Sequence, residues 1–199
     1  RTVPIAAAAF SHIINPPTMA TIEDHSIIKT LWKRFNDEKD DNERQKIANT
    51  LIREISLHSA TEEIVLYPLV EKHMDDGKKF ADHNREEHLQ IKKDAYKLDT
   101  MKLHDEGYTD LMSKIMKEFD EHSTDEEQNQ FPLLTQKIGS EELQNLAAEF
   151  EKTRKMVPTR PHPFAPDQPP KETIVGTATA PIDKARDETR EFVDVNRCV

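Results

Sequence analysis

His58-Ser-Ala-Thr-Glu62-Glu63-Ile-Val-Leu-Tyr67-Pro68-Leu69 is followed, further along the chain, by His122-Ser-Thr-Asp-Glu126-Glu127-Gln-Asn-Gln-Phe131-Pro132-Leu133. Aligned over positions 53–72 and 117–136, the two stretches share seven identities in 20, with Tyr67/Phe131 and Arg53/Lys117 as near matches. Unrelated stretches would share one or two, so the chain carries an internal duplication. The duplication extends upstream, where Glu23-Asp24-His25-Ser26-Ile27-Ile28-Lys29 matches Glu86-Glu87-His88-Leu89-Gln90-Ile91-Lys92. Each half thus supplies one early histidine and one later His-x3-Glu. A unit of about 64 residues exceeds a solenoid repeat and suits a pair of helices.

The rest of the chain fits that reading. Ile22, His25, Ile28, Leu31, Trp32 and Phe35 fall at helical spacing, with Thr21 and Asp24 as a capping pair, which predicts a first helix to about Asp37. A second periodic stripe holds Ile47, Leu51, His58, Glu62, Val65 and Leu69, and runs from about Asn42 to the low seventies. A third carries His88, Ile91, Ala95 and Leu98, and a fourth Leu111, Ile115, Phe119, His122 and Glu126. Gly77, Gly107 and Gly139 fall in the gaps, where a left-handed residue commonly closes a helix. Ser140 is expected to cap a fifth helix with an apolar face of Leu143, Leu146, Ala147 and Phe150. The expected fold is therefore all-α: an up-and-down antiparallel four-helix bundle over residues 21–157 with a fifth C-terminal helix. Residues 1–20 read as a disordered leader. Residues 158–199 read as a Pro-rich extended tail with a short helical piece over Ile182–Val193, because seven prolines between Pro158 and Pro181 interrupt every periodicity.

Composition narrows the function. A net charge of −10 argues against a phosphate-backbone partner, and no apolar run is long enough to span a bilayer. The one cysteine, Cys198, allows neither an internal disulfide nor a thiolate cage, which makes a reducing, cytoplasmic home the expectation.

If each helix turns back on its neighbour, the four repeat histidines meet. With turns near residues 105 and 40, His88 and His122 lie level, and His25 and His58 lie level to within about one turn. All four sit on apolar stripes, and Glu62 and Glu126, one turn after His58 and His122, join the same column. An inward layer of four imidazoles and two carboxylates is costly without a compensating partner, and a pair of metal ions is the natural one. Imidazole suits iron, zinc, copper and nickel, while mixed nitrogen and oxygen ligation with open positions favours iron. The competing explanation is a structural polar layer, and the chain contains its own control. His83-x3-Glu87 has the same spacing outside the repeat and reads as a solvated pair. Glu54 and Glu118, four residues before His58 and His122, are candidates to support the imidazoles from behind, or are leftovers of the duplication. Glu63 and Glu127, rotated about 100° off the ligand face, read as interhelical salt-bridge partners. Tyr67 and Phe131 read as packing residues, and Pro68 and Pro132 as kinks. His12, His73, His104 and His162 read as surface residues.

These motifs resemble the hemerythrin-like HHE cation-binding domains: an acid and His in one helix, His-x3-Glu-Glu-x3-Tyr/Phe-Pro in the next, and the pair duplicated. The resemblance covers roughly residues 21–136. It implies a non-haem centre of two oxo- or hydroxo-bridged irons, with His25 and His58 on one, His88 and His122 on the other, and Glu62 and Glu126 bridging. It also implies dioxygen, nitric oxide or iron itself as the species bound, buffered or sensed, or else a peroxide-consuming enzyme. The chain differs from the oxygen-carrying members in having Asn84 where they place a further histidine. It also has Glu126 four residues after the last histidine, where they have an Asp five after. Both differences weigh against reversible oxygen carriage.

Overall fold

In the computed structural model, residues 16–168 and 171–197 are described, and no strand occurs among them. Helix α1 spans Pro16–Asp37 and α2 spans Asp41–Thr61. The chain of α2 continues through a wider π turn, Glu62–Leu66, into α3, Tyr67–His73. Helix α4 spans Gly77–Asp99 and α5 spans Tyr108–Asp125. A second π turn, Glu126–Gln130, leads from α5 into α6, Phe131–Lys137. Helices α7, Ser140–Arg154, and α8, Lys171–Asp187, complete the set, followed by a single 3-10 turn at Val195–Arg197.

Local chemistry fixes several of these boundaries. The Asp40 carboxylate accepts from the amides of Asn42 and Glu43, both at 3.0 Å, and so starts α2. Gly107 has φ +82°, a backbone conformation that glycine adopts without a Cβ clash, and it opens α5. Gly77 serves differently: a Cβ there would lie 2.0 Å from the Val70 carbonyl oxygen, so glycine lets α4 start directly against α3. The two π turns have one cause. Pro68 and Pro132 lack an N–H for the preceding turn, and the residue before each reaches one position further back, Tyr67 N–H to Glu62 O and Phe131 N–H to Glu126 O.

Three sequence expectations need correcting. The first helix begins at Pro16, so residues 16–20 of the expected leader are helical and Thr21 is a buried interior residue instead of a cap. Residues 1–15, including His12, lie outside the described residues. Gly139 occupies the N-cap position of α7, ahead of Ser140, and neither Gly77 nor Gly139 is left-handed. Within the expected extended tail, α8 is a 17-residue helix, because Lys171–Ala180 is free of proline and Pro181 falls inside the helix with the loss of one hydrogen bond.

The tail is fastened to the bundle. Arg160 donates to Asp99 at the end of α4, 2.8 Å, and to Asp187 of α8, 3.0 Å. His162 meets buried Asp183 at 2.8 Å, and Val193 N–H donates to Thr50 Oγ1 at 3.0 Å. The apolar interior has two parts. Ile28, Leu31, Phe35, Leu51, Ile55, Ile91, Met112 and Phe119 form one; Val65, Leu66, Val70, Phe131, Leu134, Leu143, Leu146 and Phe150 form the other, with α7 closing its side. The repeat histidines lie between the two.

Candidate metal centre

His25, His58, Glu62, His88, His122 and Glu126 all have at most 1% of their surface exposed, and the structure brings all six together. The imidazoles form two close pairs, His25–His58 with ring centroids 4.8 Å apart and His88–His122 at 4.5 Å. The glutamates lie between the pairs. Glu62 Oε2 is 3.2 Å from His58 Nε2 and 3.5 Å from His88 Nε2, and Glu126 Oε2 is 3.5 Å from both His25 Nε2 and His122 Nε2. Two overlapping ligand sets result, His58–Glu62–His88–His122 and His25–His58–Glu62–Glu126, with the ligand atoms of each within 4.8 Å of one another.

Several polar atoms of this layer have no hydrogen-bond partner. His25 Nε2, both ring nitrogens of His58, Glu62 Oε1 and Glu126 Oε2 are buried without a hydrogen bond. Buried polar atoms are almost always paired, and orphans concentrated at one point are the donor set a cation would satisfy. The residues present therefore fit metal-cation binding.

Electrostatics divides the layer. Burial, followed by the neighbouring imidazoles His25, His88 and His122, holds His58 well below the ordinary histidine range. Burial and then the charge of His122 bring His88 down to about 4. His25 is raised to about 9: burial opposes its proton, and Glu126 and Glu127 outweigh it. Burial opposes protonation of His122 too, and the carboxylates of Glu126, Glu62 and Glu87 prevail. Glu62 is pushed up by burial and by the charge of Glu126, whereas burial of Glu126 is overcome by His122 and His25, which hold it down. Without a cation, protons occupy part of this site.

Behind the imidazoles stand carboxylates other than those expected. His25 Nδ1 meets Glu127 at 2.8 Å, His88 Nδ1 meets Glu63 at 3.0 Å and His122 Nδ1 meets Glu87 at 2.8 Å, while Asp24 lies 3.7 Å from His58 Nδ1. Four acids of the repeat, Asp24, Glu63, Glu87 and Glu127, thus lie on the far side of the imidazoles. The one before the first histidine faces the second histidine of its own half, and the second Glu of His-x3-Glu-Glu faces the first histidine of the other half. Glu54 and Glu118 touch no imidazole. Glu54 pairs with Arg154 and Arg53, and Glu118 with Lys114 at 3.5 Å.

Tyr67 was not expected in the site. Its hydroxyl is 3.1 Å from His88 Nε2 and 3.3 Å from both Glu62 Oε2 and Glu126 Oε1. A regular helix would rotate position 67 well away from position 62, and the π turn brings it back over Glu62. The proline one residue later is the signal from which this could have been read. Burial raises the Tyr67 phenol far above its usual range, so it keeps its proton. Phe131, the repeat partner, packs against His25 with centroids 6.3 Å apart. Asn84 lies on the His88 face, buried, donating to Glu126 Oε1 at 3.0 Å and to Gln130 at 2.9 Å. His83 is 60% exposed and, among the described residues, pairs with Glu87 at 3.4 Å. Of the histidines read as surface, His73 is partly covered and pairs with Glu142, His104 is exposed beside Asp41, and His162 is partly covered beside Asp183.

Residues 20–134 match the hemerythrin HHE cation binding domain. The chain is 36% identical over 169 residues to an uncharacterized hemerythrin-like protein of Schizosaccharomyces pombe, covering 84% of this chain and 83% of that one. An alignment of that length runs past the domain match. No solved structure matches the chain.

Proposed function

From the premise that this chain belongs to the hemerythrin HHE cation-binding family, we propose that it is a non-haem di-iron protein that binds dioxygen or a related small ligand for buffering or sensing. The observation that carries this reading is the buried layer of four imidazoles and two carboxylates with unpartnered atoms at its centre. His25 and His58 would hold one ion, His88 and His122 the other, and Glu62 and Glu126, each lying between one histidine of each pair, would join them. Iron, when bound, would supply a redox change and positions open to a small ligand. Tyr67 holds a proton at Oη, within reach of the space between the two histidine pairs, and donates a hydrogen bond there. Asn84 fixes the orientation of the Glu126 carboxylate. The test is the iron content of the purified protein together with an absorption spectrum for oxo-bridged ferric iron; protein that stays colourless and metal-free after anaerobic loading with ferrous iron and exposure to air would refute it.

The Tyr67 hydroxyl also favours a second reading, a peroxide-consuming enzyme, since a buried phenol that keeps its proton beside the site can donate a hydrogen bond to a peroxide bound there. Rapid oxygen release from peroxide that depends on iron and falls in Tyr67→Phe would select the enzyme.

Loading should depend on pH with a definite sign. Metal binding needs neutral imidazoles, and both His25 and His122 retain protons above neutrality in the metal-free site. Glu62, raised to about 8, holds a proton as well, so uptake releases protons from all three groups and apparent affinity rises from pH 6 to pH 8. Competition titrations against a chelator across that range check this, and pH-independent loading contradicts it.

His83 and Asn84 give a paired expectation. His83→Ala leaves metal content and spectrum unchanged, because Glu87 keeps its contact with His122. Asn84→His adds an imidazole on the His88 face and shifts the spectrum of the loaded protein. Loss of iron in His83→Ala would show the register assigned to α4 to be wrong.

A further inference from the structure

The four histidines are unequally supported. His25, His88 and His122 each place Nδ1 within 3.0 Å of a carboxylate oxygen, whereas His58 stands 3.7 Å from Asp24 Oδ2 and neither of its ring nitrogens has a hydrogen-bond partner. The cause lies on α7, beyond residue 134, where the domain match ends. Arg154 Nη1 donates to that same Asp24 oxygen at 2.7 Å, and its Nη2 takes Glu54. The guanidinium fork thus spans two buried carboxylates from α1 and α2, and Asp24 faces it in preference to His58.

The second half has no counterpart. Glu87, the repeat equivalent of Asp24, accepts from His122 at 2.8 Å, and among the described residues no arginine or lysine pairs with it, only exposed His83 at 3.4 Å besides His122. Glu118, the equivalent of Glu54, pairs with exposed Lys114 instead of an arginine. At these supporting acids the duplicated motif is therefore desymmetrised by a residue from outside it.

We propose that Arg154 makes the two metal positions unequal: by holding Asp24 away from His58, it leaves the ion on the His25–His58 pair the weaker-held and more exchangeable of the two. The proposal rests on the two-ion reading above. A carboxylate that accepts from the outer nitrogen of a ligand imidazole fixes the ring and raises its basicity, and losing such a partner lowers metal affinity about 10- to 100-fold. His58 lacks that support, and a guanidinium one residue behind it adds charge of the same sign as the ion. Arg154 is a positioning residue, acting on the ion through Asp24 and His58.

The experiment is an anaerobic titration of the metal-free, full-length protein with ferrous iron against a competing chelator. The unmodified protein takes up two ions in steps separated by about tenfold or more. In the double variant Arg154→Leu with Glu54→Leu, which removes the cation together with the second carboxylate it neutralises, Asp24 is free to meet His58. The weak step then tightens about tenfold while the tight step changes less than about threefold. A pair of nearly isosteric variants gives an independent reading should the double variant fail to fold. Glu87→Gln weakens one step about 10- to 100-fold, and Asp24→Asn changes either step by less than about threefold. Equal steps in the unmodified protein, an unchanged weak step in a folded double variant, or an Asp24→Asn loss as large as that of Glu87→Gln would each overturn the proposal. A purely structural salt bridge would alter melting temperature and leave the spacing of the steps unchanged. Uptake of no iron, or of a single ion, would instead defeat the two-ion reading, and the proposal with it.

Discussion

His58→Ala and His122→Ala should each reduce iron from about two ions per chain to less than one, with affinity falling more than about 100-fold. That exceeds what loss of an outer carboxylate costs, because a ligand itself is gone. The effect should reach both ions. Glu62 lies between His58 and His88, and Glu126 between His25 and His122, so removing one imidazole unbalances a carboxylate that both positions share. His122→Ala should also cost more stability in the metal-free protein, since it strips Glu87 and Glu126 of a common partner, whereas His58 has none at Nδ1. His104→Ala, at an exposed pair with Asp41, is the control and should match the unmodified protein. Elemental analysis of the four proteins decides the matter, and retention of two irons by either ligand variant would defeat the assignment.

Stripping the metal should be the largest single perturbation of the fold. A ligand present at a thousand times its dissociation constant stabilises a protein by about 4 kcal/mol. For a chain of this length that corresponds to a fall of about 10 °C in melting temperature on chelation. Beneath that, the emptied layer retains two carboxylates and four imidazoles in a buried interior, with atoms lacking hydrogen bonds on His25, His58, Glu62 and Glu126. Differential scanning calorimetry before and after chelation measures the difference. Unchanged melting would mean that the layer is satisfied by protons and hydrogen bonds alone.

The bundle and the meeting of the six residues were legible because both follow from a 3.6-residue period and a duplication. Periodicity placed His88 and Asn84 on one face, and the structure keeps them there. What escaped was whatever departs from that period or lies outside the repeat. Tyr67 was read as packing because a regular helix turns it away from Glu62, and the π turn reverses that. Glu63 and Glu127 were placed off the ligand face, which is correct for the metal side of the rings and overlooks the far side, where an acid from a neighbouring helix meets Nδ1. Glu54 was singled out for repeating, yet its partner Arg154 is 100 residues away and belongs to no motif. Helix α8 was missed because a count of prolines hid the proline-free stretch Lys171–Ala180.

The exchange of acids between halves bears on how the molecule comes apart. Glu63 of the first half secures His88 of the second, and Glu127 of the second secures His25 of the first. Loosening either helix pair unseats groups belonging to the other, so the boundary between the repeats is not a line of weakness. Amide hydrogens flanking the layer on all four long helices should open in one cooperative event, as a single foldon made of two interlocked copies.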